Sequence, residues 1–190
     1  MLVGLTGNFG TGKSTVLWLF GVLGAITVSA DEIVHRILEL DDIKEALVVV
    51  AGDILARDGS IDKGKMAGVV FSNSVVRAGV EGIIHPHVMS EIKALHERGG
   101  GAIVVAEIPL LFEGGFERDV DITITVTSTR EAINQRLIQK GYSPQEAERR
   151  LAAQMSDSKK IRMSNYVIDN SSTLEALQKQ VVIVFEELTV

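Results

Sequence analysis

The chain has 190 residues, of which 46% are hydrophobic and 23% are charged, the composition of an ordinary globular domain with a full hydrophobic core. A formal net charge of −6 argues against a broad nucleic-acid surface, so any anionic ligand must be met by a local basic site. The sequence contains no cysteine, which excludes disulfides, thiolate nucleophiles and cysteine metal sites and favours a protein of the reducing cytoplasm.

The first motif follows a short apolar strand at residues 2–6. Residues 7–14 read G-N-F-G-T-G-K-S and match the phosphate-binding P-loop, G-x-x-x-x-G-K-[ST]. Its glycines permit a tight turn whose backbone N–H groups surround an anion, and the helix that begins near Lys13 adds the positive end of its dipole. The pattern predicts a nucleoside triphosphate site in which Lys13 reaches the β- and γ-phosphates and Ser14 ligates Mg²⁺. The predicted ATP-binding residues here are Gly10, Thr11, Gly12, Lys13, Ser14 and Thr15.

An apolar run at residues 16–28 resembles a secretory signal, but cleavage after it would destroy the P-loop. We therefore interpret it as a core helix that includes Trp18 and ends near Gly24, followed by a second strand at residues 25–29. No other apolar run approaches the roughly 20 residues that a membrane span requires. Asp31 follows the second strand, at the sheet edge where ligands bind in open α/β folds.

The pattern changes after residues 31–50, which are predicted to be helical. Residues 52–100 contain several helical stretches but no convincing strand, so we interpret them as a helical insert. Strand patterns return with an apolar run at residues 102–106 that ends in Glu107. P-loop proteins place an acidic group near the Mg²⁺ shell at this point, and the alternative is a charged strand end without a ligand.

The last part of the chain alternates again between strand and helix. Strands are predicted at residues 120–126 and 166–168, a helical segment capped by Thr129 at residues 130–162, and a last amphipathic helix capped by Thr173. The whole order predicts an α/β protein with a three-layer, doubly wound P-loop NTPase fold and a parallel five-stranded sheet. We expect a single domain over residues 1–190, with a core at 1–51, 101–129 and 163–190, an acceptor-binding helical insert at 52–100, and a helical lid at 130–162.

Several classes of protein share the P-loop, and the absence of their other motifs from this sequence excludes some of these classes. No aspartate has a glycine three positions later, as a GTPase switch requires, and neither an Asn-Lys-x-Asp guanine-binding motif nor a Ser-Gly-Gly signature occurs. Residues 130–162 instead form a basic helical hairpin of the kind that closes over ATP in small kinases. For any one of its cations, a solvated amphipathic face is the alternative. These cations are Arg130, Arg136, Lys140, Arg149, Arg150, Lys159, Lys160 and Arg162.

Eight segments together resemble one family. The discriminating pair is I-H-P-H-V at residues 84–88 and P-L-L-F-E at residues 109–113, because the P-loop itself is common to many enzymes. The other similar segments are 5–15, 30–31, 58–62, 70–73, 150–154 and 167–170. Over nearly its whole length the chain therefore resembles dephospho-CoA kinase, the last enzyme of coenzyme A synthesis.

This resemblance implies ATP-dependent phosphorylation of the ribose 3′-hydroxyl of dephospho-CoA, with Mg²⁺ as cofactor. It implies that Asp31 orients that hydroxyl, although an aspartate here would also suit the N-cap of the next helix. Arg136 is expected to stabilise the transferring phosphoryl group, and Asn170 to border adenine. For His85 and His87 a helix start is favoured over metal binding, because no third ligand is evident. The expected acceptor contacts are Asp31, His85, Arg77, Leu110 and Arg150, and the expected metal ligands are Ser14 and Glu107.

The expected partners are ATP and dephospho-CoA, with no nucleic acid and no membrane, in a monomer or small homo-oligomer. The chain departs from the family pattern at Ser29 and Asn165, where aspartates are usual, and at Lys140, which keeps the charge of a common lid arginine without its bidentate geometry. Two other interpretations stay open. One is a kinase for a nucleoside monophosphate or small metabolite, and the other is a catalytically silent nucleotide-binding module, against which Lys13 and Asp31 argue.

Overall fold

A five-stranded parallel sheet in the order β2–β3–β1–β4–β5 organises the fold. The computed structural model describes residues 1–189. The strands are β1 (Leu2–Gly7), β2 (Ile26–Ser29), β3 (Val104–Glu107), β4 (Ile122–Thr127) and β5 (Tyr166–Asp169). The central strand β1 is buried along its whole length, as a parallel sheet covered on both faces requires. The predicted α/β fold with five parallel strands is confirmed.

The helices occupy the connections that the sequence pattern predicts. They are α1 (Lys13–Val22), α2 (Ala30–Ile37), α3 (Asp41–Ala51), α4 (Lys63–Ser72), α5 (Ser74–Arg98), α6 (Arg130–Gln139), α7 (Pro144–Ala152), α8 (Asp157–Met163) and α9 (Leu174–Leu188), with a 3₁₀ turn at Phe116–Asp119. Thr129 caps α6 by accepting the N–H of Ala132, and Thr173 caps α9 by accepting the N–H of Ala176. Within residues 1–189 no helix is long and apolar enough to cross a bilayer.

The chain divides into two compact units. The first unit comprises Met1–Ser29 and the chain from Leu95 onward, and it contains the whole sheet with α1 and α6 to α9. The second unit, Ala30–Ala94, is helical and contains α2 to α4 and most of α5. The predicted division into core, insert and lid differs from these units and stays a prediction.

Two layers of helix enclose the sheet of the first unit. On one face, Val3 and Leu5 of β1 pack with Phe20 of α1 and Val181 of α9 in a single buried cluster. On the other face, α8 packs on β4. Successive side chains of a strand point to opposite faces, so the alternation along β4 serves both layers.

Trp18 is 58% exposed, so its predicted place in the core is wrong. The buried residues of α1 are Val16, Leu19 and Phe20, in addition to Lys13. At about 100° per residue, Trp18 projects from the side of α1 opposite Val16. The apolar run was therefore a poor guide to which of its members are buried.

The second unit departs from the predicted helices in two places. The helical stretch expected at residues 31–50 is broken by turns at residues 38–40 into α2 and α3. His85 and His87, where a helix start is expected, lie inside α5 together with Pro86. A proline in a helix interior costs about 3 kcal/mol. The buried stripe that continues at four-residue spacing across it offsets this cost: Val80, Ile84, Val88 and Ile92.

The end of α1 allows a test of backbone strain with an internal control. Gly24 follows the C-terminus of α1 at φ 102°, a left-handed conformation with no atom near the position of a Cβ. Gly24→Ala should therefore lower the free energy of unfolding by about 1–2 kcal/mol through backbone strain alone. Gly21→Ala, inside α1, places a Cβ at an ordinary 3.5 Å from Thr27 and should raise it by about 0.5–1 kcal/mol. Urea denaturation measures the free energy of unfolding of both variants. Equal changes in the two would contradict backbone strain at Gly24 as the cause.

Candidate active site

The P-loop connects β1 to α1 through a left-handed turn. Gly12 is the N-cap of α1 at φ 92°, and a Cβ on it would lie 2.2 Å from Nδ2 of Asn170. Only glycine meets both constraints. The turn leads into the N-terminus of α1, where backbone N–H groups and the positive end of the helix dipole favour the binding of an anion.

The Lys13 side chain stays within the loop. It is 9% exposed, and its Nζ donates to the carbonyl of Asn8 over 3.3 Å. The same carbonyl accepts the backbone N–H and the Oγ1 hydroxyl of Thr11, over 3.2 and 2.9 Å. The Asn8 carbonyl therefore holds both Thr11 and the ammonium group that is expected to meet the phosphates.

An acidic side chain lies beside the P-loop strand. Glu107 ends β3, pairs in register with Leu5 of β1 and Ser29 of β2, and is 7% exposed. The chain leaves β1 towards β2 and leaves β3 towards β4, so the carboxyl ends of β1 and β3 form a topological switch point, where open α/β sheets bind ligands. The Ser14 hydroxyl is exposed in the first turn of α1. Hydroxyl and carboxylate oxygens are donors that suit Mg²⁺.

Arg136 of α6 supports the P-loop backbone. Its NH1 donates to the carbonyls of Gly10 and Thr11, over 3.5 and 3.3 Å, and to the Ser128 hydroxyl over 3.0 Å. Its NH2 donates to the carbonyl of Asn170 over 2.6 Å. The Asn170 side chain, which is buried, also donates to the Thr11 carbonyl over 2.8 Å. The structure thus brings the two predicted site residues, Arg136 and Asn170, to the same turn.

The loop also contacts α7. The guanidinium of Arg150 lies 5.0 Å from the ring centre of Phe9 and 5.1 Å from that of Tyr142, and it pairs with Glu146. The side chain of Gln154 accepts the backbone N–H of Phe9 over 2.8 Å. Residues 150–154, one of the segments that resemble the family, therefore contact the P-loop through Arg150 at one end and Gln154 at the other.

A cavity of about 320 Å³ opens between the P-loop and the lid helices. Asn8 and Asp157 line it, and within the described residues neither the buried Oδ1 of Asn8 nor that of Asp157 has a hydrogen-bonding partner. Burial raises the pKa of Asp157 above its ordinary value of 3.8, and the positive charges of Lys160 and Lys13 oppose that rise. The remaining lining residues are Ser128, Arg130, Ile133, Glu148, Leu151, Ala152 and Ser156.

The other predicted site residues are described within their own units. In the second unit, Asp31 is exposed in the first turn of α2, which begins at Ala30, so the alternative N-cap role is wrong. Arg77 is exposed on α5. His85 is half-buried on the same helix, where burial lowers its pKa below 6.5 and Glu81 opposes the change. In the first unit, Leu110 is 41% exposed in the turn after β3.

The structure shows the surroundings of two residues that depart from the family pattern, Asn165 and Lys140. The side-chain oxygen of Asn165 accepts both the N–H and the hydroxyl of Thr123, over 2.9 Å each. An aspartate would accept the same two bonds, so the amide keeps this contact. Lys140 is exposed at the C-terminal cap of α6. Three residues that contact the P-loop segment or line the cavity were not predicted as site residues from the sequence: Tyr142, Gln154 and Asp157.

A P-loop on the central strand, an acidic neighbour on β3 and basic helices beside the loop define a P-loop nucleotide-binding protein of the kinase type. The chain belongs to the dephospho-CoA kinase family, whose model matches residues 1–176. It is 39% identical to a dephospho-CoA kinase of Symbiobacterium thermophilum, over 95% of this chain and 78% of the relative. It is 36% identical to a dephospho-CoA kinase of Aquifex aeolicus, over 98% of this chain and 97% of that relative. A crystal structure of a Thermus thermophilus protein superposes with a TM-score of 0.90 at 31% identity, covering 100% of this chain and 98% of that one.

The raised pKa of Asp157 predicts a stability effect that depends on pH. A carboxyl whose pKa is higher in the folded protein destabilises the fold when it is ionised, and this penalty disappears once pH falls below the unfolded value. Asp157→Asn should therefore raise the melting temperature at pH 7.5, and the gain should vanish below about pH 3.8. Melting curves across this range test it, and a gain that persists at the acidic end would contradict the electrostatic cause.

Proposed function

We propose that this chain transfers the γ-phosphoryl group of ATP to the ribose 3′-hydroxyl of dephospho-CoA, giving coenzyme A and ADP. The observation that carries the proposal is the family match over residues 1–176. The P-loop geometry supports it, because a left-handed Gly12 and an inward Lys13 are what a triphosphate site needs.

ATP binds through its phosphates at the start of α1. Backbone N–H groups at the turn before α1 surround the β-phosphate, and Lys13 neutralises the β- and γ-oxygens. Since Lys13 is largely buried, its charge acts in a medium of low dielectric constant, where it is stronger than in water. Asn170 borders adenine from the loop after β5.

Ser14 and Glu107 would hold Mg²⁺, and the ion would supply further positive charge to the phosphate oxygens. The two side chains fit this role, since one is an exposed hydroxyl in the first turn of α1 and the other a carboxylate at the end of β3. With only one or two protein ligands, Mg²⁺ keeps water and phosphate oxygens in its other positions.

Asp31 orients the 3′-hydroxyl and accepts its proton as the oxygen attacks the γ-phosphorus. The bond between the γ-phosphorus and the bridging oxygen breaks, and the electron pair leaves with ADP. Asp31 suits this role because its side chain is exposed in the first turn of α2.

Basic side chains complete the site. Arg136 stabilises the charge on the transferring phosphoryl and supports the loop that holds it, through its bonds to the Gly10 and Thr11 carbonyls. Arg150, which lies over two aromatic rings, keeps the lid against the P-loop and so excludes water. The remaining proposed acceptor contacts are Arg77, His85 and Leu110.

A coupled assay of ADP release tests the function directly. The purified chain should release ADP with dephospho-CoA as acceptor and show little activity with nucleoside monophosphates. Activity with monophosphates alone would indicate a nucleotide kinase, and no activity with any acceptor would favour a silent nucleotide-binding module. NMR spectra of the product, compared with those of authentic coenzyme A, identify which hydroxyl carries the new phosphate.

Removal of the P-loop ammonium should abolish most of the turnover. Lys13→Ala should lower kcat by about 10²–10³-fold, the usual effect of losing one preorganised group that stabilises transition-state charge. Lys179→Ala is the matched control, because Lys179 is exposed on α9, outside the lid segment. Near-normal turnover in Lys13→Ala would contradict the assignment of the phosphate site.

The role of Asp31 can be separated from its place in the helix. Asp31→Asn should lower phosphoryl transfer by about 10²–10⁴-fold and leave the KM for ATP unchanged. Glu32→Gln is a matched control, since both carboxylates are exposed in the first turn of α2 and lose the same dipole interaction. Steady-state kinetics and melting curves should show equal stability and unequal turnover. Equal turnover would assign Asp31 to the helix alone.

A further inference from the structure

One lysine of the lid segment is completely buried. Lys160 of α8 has 0% of its side chain exposed, and its Nζ lies 3.0 Å from Oε1 of Glu113, whose side chain is 20% exposed. The same ammonium donates to the carbonyl of Pro109 over 3.2 Å. Its neighbour Lys159 is exposed. The chain therefore buries one particular cation against the loop that follows β3.

Burial of this pair needs a reason other than stability. Removing an ammonium group from water is costly, and an apolar pair of similar size is often as stable or more stable. A buried ion pair does, however, fix geometry, because each charge tolerates few other positions for its partner. Lys160 has two oxygen acceptors from two positions of one loop, so it fixes where that loop lies relative to α8.

The contacts continue from this pair to the P-loop. Oε1 of Glu113 also accepts the backbone N–H of Met155 over 2.9 Å. The residue before it, Gln154, accepts the N–H of Phe9 in the P-loop. On the other side, the Pro109 carbonyl also accepts the hydroxyl of Thr6, near the end of β1 and directly before the P-loop, over 3.1 Å.

We propose that Lys160 and Glu113 are positioning residues for phosphoryl transfer, which hold the start of α8 and the loop at residues 108–115 in fixed register with the P-loop. The inference rests on the proposed function. Neither side chain is assigned a contact with substrate. Their effect passes through Gln154 to Phe9 on one side, and through Pro109 to Thr6 on the other.

The position of the pair explains why its geometry matters for the reaction. The loop it holds directly follows Glu107, the proposed metal ligand, and contains Leu110, a proposed acceptor contact. The positive charges of Lys160 and Lys13 both act on Asp157, which places the start of α8 near the P-loop lysine. A shift of this loop or of α8 therefore displaces groups at the phosphates and at the acceptor together.

The test uses Lys160→Met, Glu113→Gln and the double variant, with Lys179→Met, at an exposed lysine of α9, as the matched control. The measurements are kcat and KM with ATP and dephospho-CoA, ADP release without acceptor, and the melting temperature. Each single variant leaves one charge unpaired and should melt at a lower temperature. The double variant has no unpaired charge, so its melting temperature should return close to that of the unmodified chain, and it stays informative if a single variant does not fold.

Turnover separates positioning from simple stability. In the double variant kcat should remain lower by about 10–100-fold, because small displacements of reacting groups cost that much, while the KM for ATP stays within about threefold and the fraction of ATP lost to water rises. Recovery of kcat together with the melting temperature would overturn the inference. If the unmodified chain does not phosphorylate dephospho-CoA, the proposed function fails instead, so the two failures are distinct.

Discussion

The site depends on one backbone turn from which a single methyl group is excluded. Gly12 adopts a left-handed conformation at the start of α1, and Asn170 occupies the space that its Cβ would need. This close approach lets the Asn170 amide bond the carbonyl of Thr11, which leaves the N–H side of the same turn for an anion. Phosphate binding and the packing of the loop after β5 are therefore consequences of one constraint.

The charges around this turn are largely removed from water although the chain as a whole is acidic. Lys13, Glu107 and Lys160 are all buried, and backbone carbonyls compensate part of the cost for the two lysines, that of Asn8 for the first and that of Pro109 for the second. Charges held in this way need little reorganisation when a phosphoryl group is transferred, and they act more strongly than they would in water. On the proposed function this arrangement would serve phosphoryl transfer, because buried charges contribute little to the stability of the fold.

Local rules predicted those features that depend on a few neighbouring residues. The caps Thr129 and Thr173 and the left-handed glycine after α1 lie where the sequence places them, because capping involves groups three or four positions apart. Features that depend on packing were predicted less well. Trp18 is exposed because the sheet covers only one side of α1, and Pro86 is tolerated inside α5 because the buried stripe continues past it.

The sequence by itself determined the P-loop, the α/β class and the resemblance to dephospho-CoA kinases, since each is written in contiguous residues whose chemistry is local. Only the tertiary structure decided which charged and aromatic groups meet: Lys160 with Glu113, Arg150 with Phe9, and Arg136 with the P-loop carbonyls. These partners are far apart in the chain. They meet because β1 lies between β3 and β4, and this order arises from the packing of the whole sheet, which no single segment encodes.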